Sequence, residues 1–138
     1  MQLPSPFRAT LAAACLCVAP LVSAQSTALD GKAFVADAGL KGKAADEKGD
    51  VISFAGGQFH SSTCDQYGYS KAAYRATPAG GTILFEAETT SEKDGRLAWK
   101  GEVKGDTIEG TFVHYRKGWL LNPNPEPREH WFKGQAKR

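Results

Sequence analysis

Cysteine is scarce in this chain, and so is every pattern that would announce an enzyme. Of its 3 cysteines, Cys15 and Cys17 stand in an apolar N-terminal run and only Cys64 lies beyond it. No disulfide is therefore possible within the body of the chain, and Cys64 is left as a free thiol. No Gly-x-Ser-x-Gly elbow occurs, and no glycine-rich phosphate loop opens a helix. No histidine is patterned to serve Cys64 as a base, so no catalytic residue and no reaction class are assigned. Structural zinc usually needs four ligands. His60 and Cys64 are four apart, but His60 sits on a strand, and the 3 histidines and one remaining cysteine come from different strands and a loop. No metal site and no cofactor are expected. Charge of one sign is lacking too, with 17 Lys and Arg against 15 Asp and Glu. The basic residues are scattered, which argues against nucleic acid or an anionic membrane surface as partner. No apolar run after Val22 is long enough to span a bilayer as a helix.

What is present begins with an export signal. Arg8 is the only charge before Asp30, the apolar stretch runs from Ala9 to Val22, and Val22-Ser23-Ala24 puts small residues where a signal peptidase reads. That order of basic, apolar and small segments is a secretory signal. Residues 1–24 are expected to be removed, leaving a single domain over 25–138 that works in the periplasm or outside the cell. A chain of that size buries roughly two thirds of its unfolded surface.

From Asp50 onward, short alternating runs are separated by glycine-rich turns, the signature of an antiparallel meander. Gly105-Asp106 fits a two-residue turn with glycine first. It sets Val103 opposite Ile108, Gly101 opposite Gly110, Trp99 opposite Phe112 and Leu97 opposite His114, all on one face, while Lys104, Glu102 and Lys100 share the other with Thr107, Glu109 and Thr111. A three-residue turn at Lys93-Asp94-Gly95 sets Thr89 against Trp99 and Phe85 against Val103. Pro78-Ala79-Gly80-Gly81 brings Ala76 to Ile83 and Tyr74 to Phe85. Gly56-Gly57 pairs Phe54 with Phe59 and Ile52 with Ser61. Eight strands are predicted, at 32–36, 50–55, 58–62, 72–77, 82–91, 96–104, 107–116 and 129–135. The stretch Ala38 to Gly49 is polar and reads as a loop or one short helical turn. Eight strands joined by hairpins close most simply into an all-β, antiparallel up-and-down barrel, which removes exposed edges; a two-sheet sandwich is the alternative. An outer-membrane barrel turns apolar residues outward, whereas here the outer face carries Glu86, Glu88, Lys100, Glu102, Lys104 and Glu109.

In strand number and hairpin spacing the chain resembles the calycins, the small up-and-down barrels that include the lipocalins. In Leu29-Asp-Gly-Lys-Ala-Phe34, Gly31 matches the glycine of the lipocalin Gly-x-Trp motif, but Ala33 and Phe34 follow and no Trp does, so no binding residue is carried over. The segment from Phe59 to Tyr69, FHSSTCDQYGY, is similar to one in small exported bacterial proteins of unknown function, which implies an envelope location.

Two readings of the barrel interior stay open. Gly101 and Gly110 face each other beside Trp99 and Phe112, which makes either a pocket floor with aromatic walls or a space filled by Trp99. His114 shares this inner face at the end where the Lys93-Asp94-Gly95 turn lies, and the long connection from Lys117 to Arg128, with Trp119, starts there. Long loops often form lids or binding loops. Thr89, Trp99, His114 and Trp119 are therefore the candidate ligand-binding residues, at the mouth of a binding module for a small apolar or amphipathic molecule. The alternative is an envelope structural or interaction protein with a filled barrel, whose Tyr67, Tyr69 and Tyr74 offer an aromatic surface to a partner. Asp65 beside Cys64 is expected to raise the thiol pKa. Glu86, Glu88 and the Glu102–Glu109 pair read as a solvated ladder of charge pairs with the lysines.

Overall fold

Among the described residues ten glycines adopt positive φ, and two adjacent pairs of them, Gly56-Gly57 and Gly80-Gly81, make two of the hairpin turns. The computed structural model describes Gln2 and residues 26–138. Apart from Gln2, the expected signal peptide at 1–24 lies outside the described residues, as does its cleavage site. The strands are β1 (Ala33–Leu40), β2 (Glu47–Ala55), β3 (Gln58–Ser61), β4 (Ala72–Ala79), β5 (Thr82–Ser91), β6 (Gly95–Lys104), β7 (Thr107–Arg116) and β8 (Arg128–Ala136). A 3-10 turn, Ser62–Tyr67, follows β3. Each strand pairs antiparallel with the next, and β8 returns to β1 through pairs from Phe34–Ala136 to Leu40–His130. The sheet is a closed eight-stranded antiparallel up-and-down barrel, not a sandwich.

The predicted strand parity holds around the barrel. The β6–β7 pairs are those expected, including Trp99–Phe112, Gly101–Gly110 and Leu97–His114, and so are Phe54–Phe59 and Ile52–Ser61. Two hairpins are offset by two residues from the expected register, which leaves every side chain on its expected face. Tyr74 pairs with Ala87 and Ala76 with Phe85, because Gly80 (φ 55) and Gly81 (φ 80) make the reversal alone and Pro78 and Ala79 stay in the ladder. Ala87 pairs with Trp99 and Thr89 with Leu97, because the β5–β6 loop is Glu92-Lys93-Asp94 and Gly95 already belongs to β6. Gly95 is needed there for a second reason: a Cβ would collide with the Tyr115 carbonyl.

The stretch from 38 to 49 is a loop only over 41–46; residues 38–40 end β1 and 47–49 begin β2, and no helical turn forms there. The register steps from Ala36–Asp50 to Ala38–Glu47, so β2 takes one extra residue near Gly49 (φ 75), whose N–H donates to Asp37 Oδ1 at 3.2 Å. A bulge of this kind breaks the alternation that marks a strand, which is why the sequence looked irregular.

Inward-facing rings fill the barrel. Phe34, Phe54, Phe59, Tyr74, Phe85, Trp99 and Phe132 are buried with Ile52 and Ile108. Phe54 meets Phe59, Tyr74 and Phe85 edge-on at centroid distances of 5.6, 4.9 and 5.1 Å. The glycine pair is no pocket floor. A Cβ on Gly101 would lie 2.6 Å from Phe85 and 2.8 Å from Phe132, and one on Gly110 2.7 Å from Phe132. Phe85 and Phe132, rather than Trp99, fold over the glycines and close the interior.

The end that carries the Gly56-Gly57, Gly80-Gly81 and Gly105-Asp106 turns is plugged. Leu29 is wholly buried there. Its N–H donates to the Tyr74 hydroxyl (2.9 Å), which donates to Asp30 Oδ1 (2.8 Å), and the Asp30 carboxylate accepts the Gly57 N–H at 3.0 Å. Burial, with the Asp30 hydrogen bond adding to it, pushes the Tyr74 phenol up to about 12.

Candidate ligand site at the open end of the barrel

The four connections at the opposite end are longer, and a buried carboxylate organises one of them. Asp50 accepts the Ser61 hydroxyl at 2.6 Å, the Ser62 hydroxyl at 3.1 Å and the Thr63 N–H at 3.0 Å. The Ser62 oxygen in turn accepts the Val51 N–H at 2.9 Å. These bonds wrap the 3-10 turn over the barrel mouth, and Gly68 (φ 80) ends it. The β5–β6 loop is fixed as firmly: Ser91 Oγ donates to the Tyr67 carbonyl (2.6 Å) and accepts the Asp94 N–H (3.2 Å).

Beneath these loops lies a cavity of about 280 Å³. Leu97, Trp99 and Phe112 supply its apolar floor, and Tyr67, Tyr69, Thr63 and Cys64 one wall. Four carboxylates, Asp46, Glu47, Asp50 and Asp94, and two imidazoles, His114 and His130, complete it. Tyr69 Oη donates to Asp94 Oδ2 at 2.7 Å, and burial, with that carboxylate beside it, pushes the phenol far up. His114 Nε2 lies 3.1 Å from the same oxygen, within ion-pair reach. Yet it is misaligned and has no hydrogen-bond partner. The proximity stands; the directed bond does not. The His130 ring stacks on Phe112 at 4.6 Å with 3° between planes, and its buried Nδ1 makes no well-aligned hydrogen bond. Burial lowers the His130 pKa; the backbone of Arg128 opposes the fall and the neighbouring His114 adds to it. The two imidazole centroids are 6.4 Å apart.

Buried polar atoms are nearly always hydrogen-bonded, so two nitrogens on one cavity wall that meet no protein partner set this cavity apart from the satisfied interior. Among the described residues no group of His, Cys, Asp and Glu is placed to hold a metal ion, and no helix is long and apolar enough to cross a membrane.

Of the residues expected at the mouth, Trp99 and His114 line the cavity. Thr89 lies buried beside it, its hydroxyl accepting the Trp99 indole N–H at 3.1 Å, so it orients the floor ring. Trp119 lies outside the lining: backbone bonds to Asn122 of 3.0 and 2.9 Å fold residues 119–122 into their own turn, and Trp119 is 60 % exposed. The tyrosines do not form a common surface, since Tyr69 and Tyr74 are buried and Tyr67 alone is exposed. Cys64 is a half-buried free thiol whose Sγ lies 3.2 Å from Ser61 Oγ, the hydroxyl that donates to Asp50. Its pKa is pushed up to about 11, first by burial, with Asp50 and Glu47 adding to the rise. Asp65 is not the carboxylate responsible; it pairs with His60 Nε2 at 2.7 Å.

The sequence reading missed His130, Tyr69, Asp94 and the acids of β2. His130 was within reach, because it is two residues from the inward Phe132 and shares its face. Comparison with protein-family models, curated proteins and solved structures finds no match.

A larger concavity, about 750 Å³, lies on the outer wall across β4 to β7. Its exposed charges pair with one another: Arg75 Nη2 with Glu86 Oε2 at 2.9 Å and Lys100 Nζ with Glu86 Oε1 at 3.7 Å. It is the saddle of a twisted sheet bearing solvated ion pairs. The smaller mouth cavity is the better candidate, because it buries the Asp50 carboxylate and two imidazole nitrogens that have no hydrogen-bond partner.

Proposed function

We propose that this protein is an exported binding module, working in the periplasm or outside the cell, that holds a small amphipathic molecule at the open end of its barrel. One observation carries the reading: a cavity with an aromatic floor whose wall buries two imidazole nitrogens without hydrogen-bond partners. An apolar pocket with a few convergent polar groups is the usual form of a small-molecule site. The ligand rests against Trp99 and Phe112 and does not enter the barrel, which its own rings fill. Export is supported by the order of basic, apolar and small segments over 1–24. Tryptophan fluorescence during a screen of lipids, haem, quinones and aromatic amphipaths tests the binding. The expected result is a saturable change that disappears in Trp99→Phe; a flat response to every compound contradicts it. N-terminal sequencing of secreted protein is expected to begin at Gln25.

A second reading, an envelope interaction protein, rests on a different observation. Trp119, Leu120 and Leu121 are 60, 93 and 78 % exposed at one loop tip, an apolar cluster of the sort that marks contact surfaces. Loss of a co-purifying partner in Leu120→Ser/Leu121→Ser, with ligand binding unchanged, would favour it.

A further inference from the structure

Taking the mouth cavity as a ligand site, we infer that its ligand is a small organic cation, an amine joined to a flat apolar group. The charge of the lining points this way. Asp46, Glu47, Asp50 and Asp94 contribute four carboxylates, and neither lysine nor arginine lines the cavity. Arg116, two residues beyond His114 on the same strand face, is outside the lining. Among the described residues, Asp46, Glu47 and Asp50 make no ion pair, and Asp94 has only the misaligned His114.

The neutral groups agree with the charged ones. Asp50 is held by hydroxyls and a backbone N–H, donors that satisfy its lone pairs without cancelling its charge. A buried negative charge with no cationic side chain beside it strongly favours an incoming positive one, because the local dielectric is low. The floor suits the same ligand. Trp99 and Phe112 lie with centroids 4.4 Å apart, and Tyr67 and Tyr69 stand on the wall, so aromatic faces are available to a cation or to a ring attached to it. An ammonium brings three N–H donors and no acceptor, which matches a wall richer in acceptors than in free donors. His130, kept neutral by burial, does not offset the carboxylates. An anionic ligand would meet four like charges and a single imidazole able to oppose them.

The test compares three probes on one carbon skeleton: 3-phenylpropylamine, 3-phenylpropanol and 3-phenylpropanoate, titrated by calorimetry into the purified protein at neutral pH and low salt. The amine is expected to bind about tenfold or more tighter than the alcohol, with the carboxylate weakest. Asp94→Asn and Glu47→Gln are each expected to weaken the amine several-fold and the alcohol much less. Circular dichroism and thermal melts check that each variant is folded, and the ratio of amine to alcohol affinity isolates the charge from any change in cavity shape. If the alcohol binds as tightly as the amine, or the carboxylate binds more tightly, the charge inference is overturned while the mouth remains a ligand site. If none of the three binds and Trp99 fluorescence responds to no other compound, the site itself is refuted. Amine affinity that survives Asp94→Asn/Glu47→Gln also overturns the inference.

Discussion

The two ends of this barrel are built from similar materials and put them to different use. Each has a buried tyrosine hydrogen-bonded to an aspartate, Tyr74 to Asp30 and Tyr69 to Asp94. At the closed end the arrangement is complete: the Tyr74 oxygen also accepts the Leu29 N–H, Asp30 also accepts Gly57, and two-residue turns seal the rim over Leu29. At the open end Asp94 is shared between Tyr69 and a misaligned imidazole, and His114 Nε2 and His130 Nδ1 are left unsatisfied above an aromatic floor. Satisfied polar groups tie a chain together. Unsatisfied ones lower stability and are kept where contact with something else repays them.

Substitutions can break that contrast. The largest difference is expected between Phe54→Ala and Phe112→Ala. Phe54 is buried in edge contacts with three rings, and its truncation is expected to cost about 3–5 kcal/mol in urea unfolding. Phe112 is only partly buried at the cavity, so its truncation should cost clearly less. Next comes the tyrosine pair. Tyr74→Phe strands the Leu29 N–H and is expected to cost about 1–3 kcal/mol, whereas Tyr69→Phe removes one bond to an already shared carboxylate and should cost roughly 0.5–1.5 kcal/mol. Equal costs would erase the distinction between the ends.

Titration sharpens the contrast further. The Tyr74 pKa is raised to about 12 from 10.0, so the folded state binds its proton more tightly than the unfolded chain. The associated stability is complete below pH 10 and is lost as pH rises from 10 towards 12. The His130 pKa is lowered from 6.5. The unfolded chain then takes up the proton first, so stability falls as pH drops below 6.5, and His130→Phe is expected to flatten that acid limb. Melting temperatures between pH 5 and pH 12 check both limbs. The smallest effect concerns Cys64, whose thiol moves from 9.0 to about 11. At pH 8 it should hold about a hundredfold less thiolate than an ordinary cysteine and react with a disulfide reagent correspondingly slowly.

Much of the fold was legible because strand parity is local. Each hairpin carries its own period-two pattern, so Trp99 and Glu102 fall on opposite faces however the turn is drawn. Registers were less secure. Pro78 and Gly95 look like turn residues but lie in strands, and either error shifts a ladder by two without turning a side chain. The β1–β2 hairpin was hidden because the bulge at Gly49 interrupts the period over the residues that would have shown it. The site divides along the same line. Trp99 and His114 follow from parity on β6 and β7, whereas Tyr69 and Asp94 sit in connections with no period, placed by hydrogen bonds to Ser91 and Asp50 that spacing does not reveal. Trp119 misled for a related reason: its own turn, closed by Asn122, directs it to solvent.

The most direct measurement is a chemical-shift map of isotope-labelled protein titrated with a compound that binds. The account expects the shifts to concentrate on Trp99, His114, His130, Tyr69 and Asp94, with Leu29, Phe54 and Tyr74 unmoved. Shifts centred on the Phe54–Phe85–Phe132 interior, or on the Leu29 end, would contradict it.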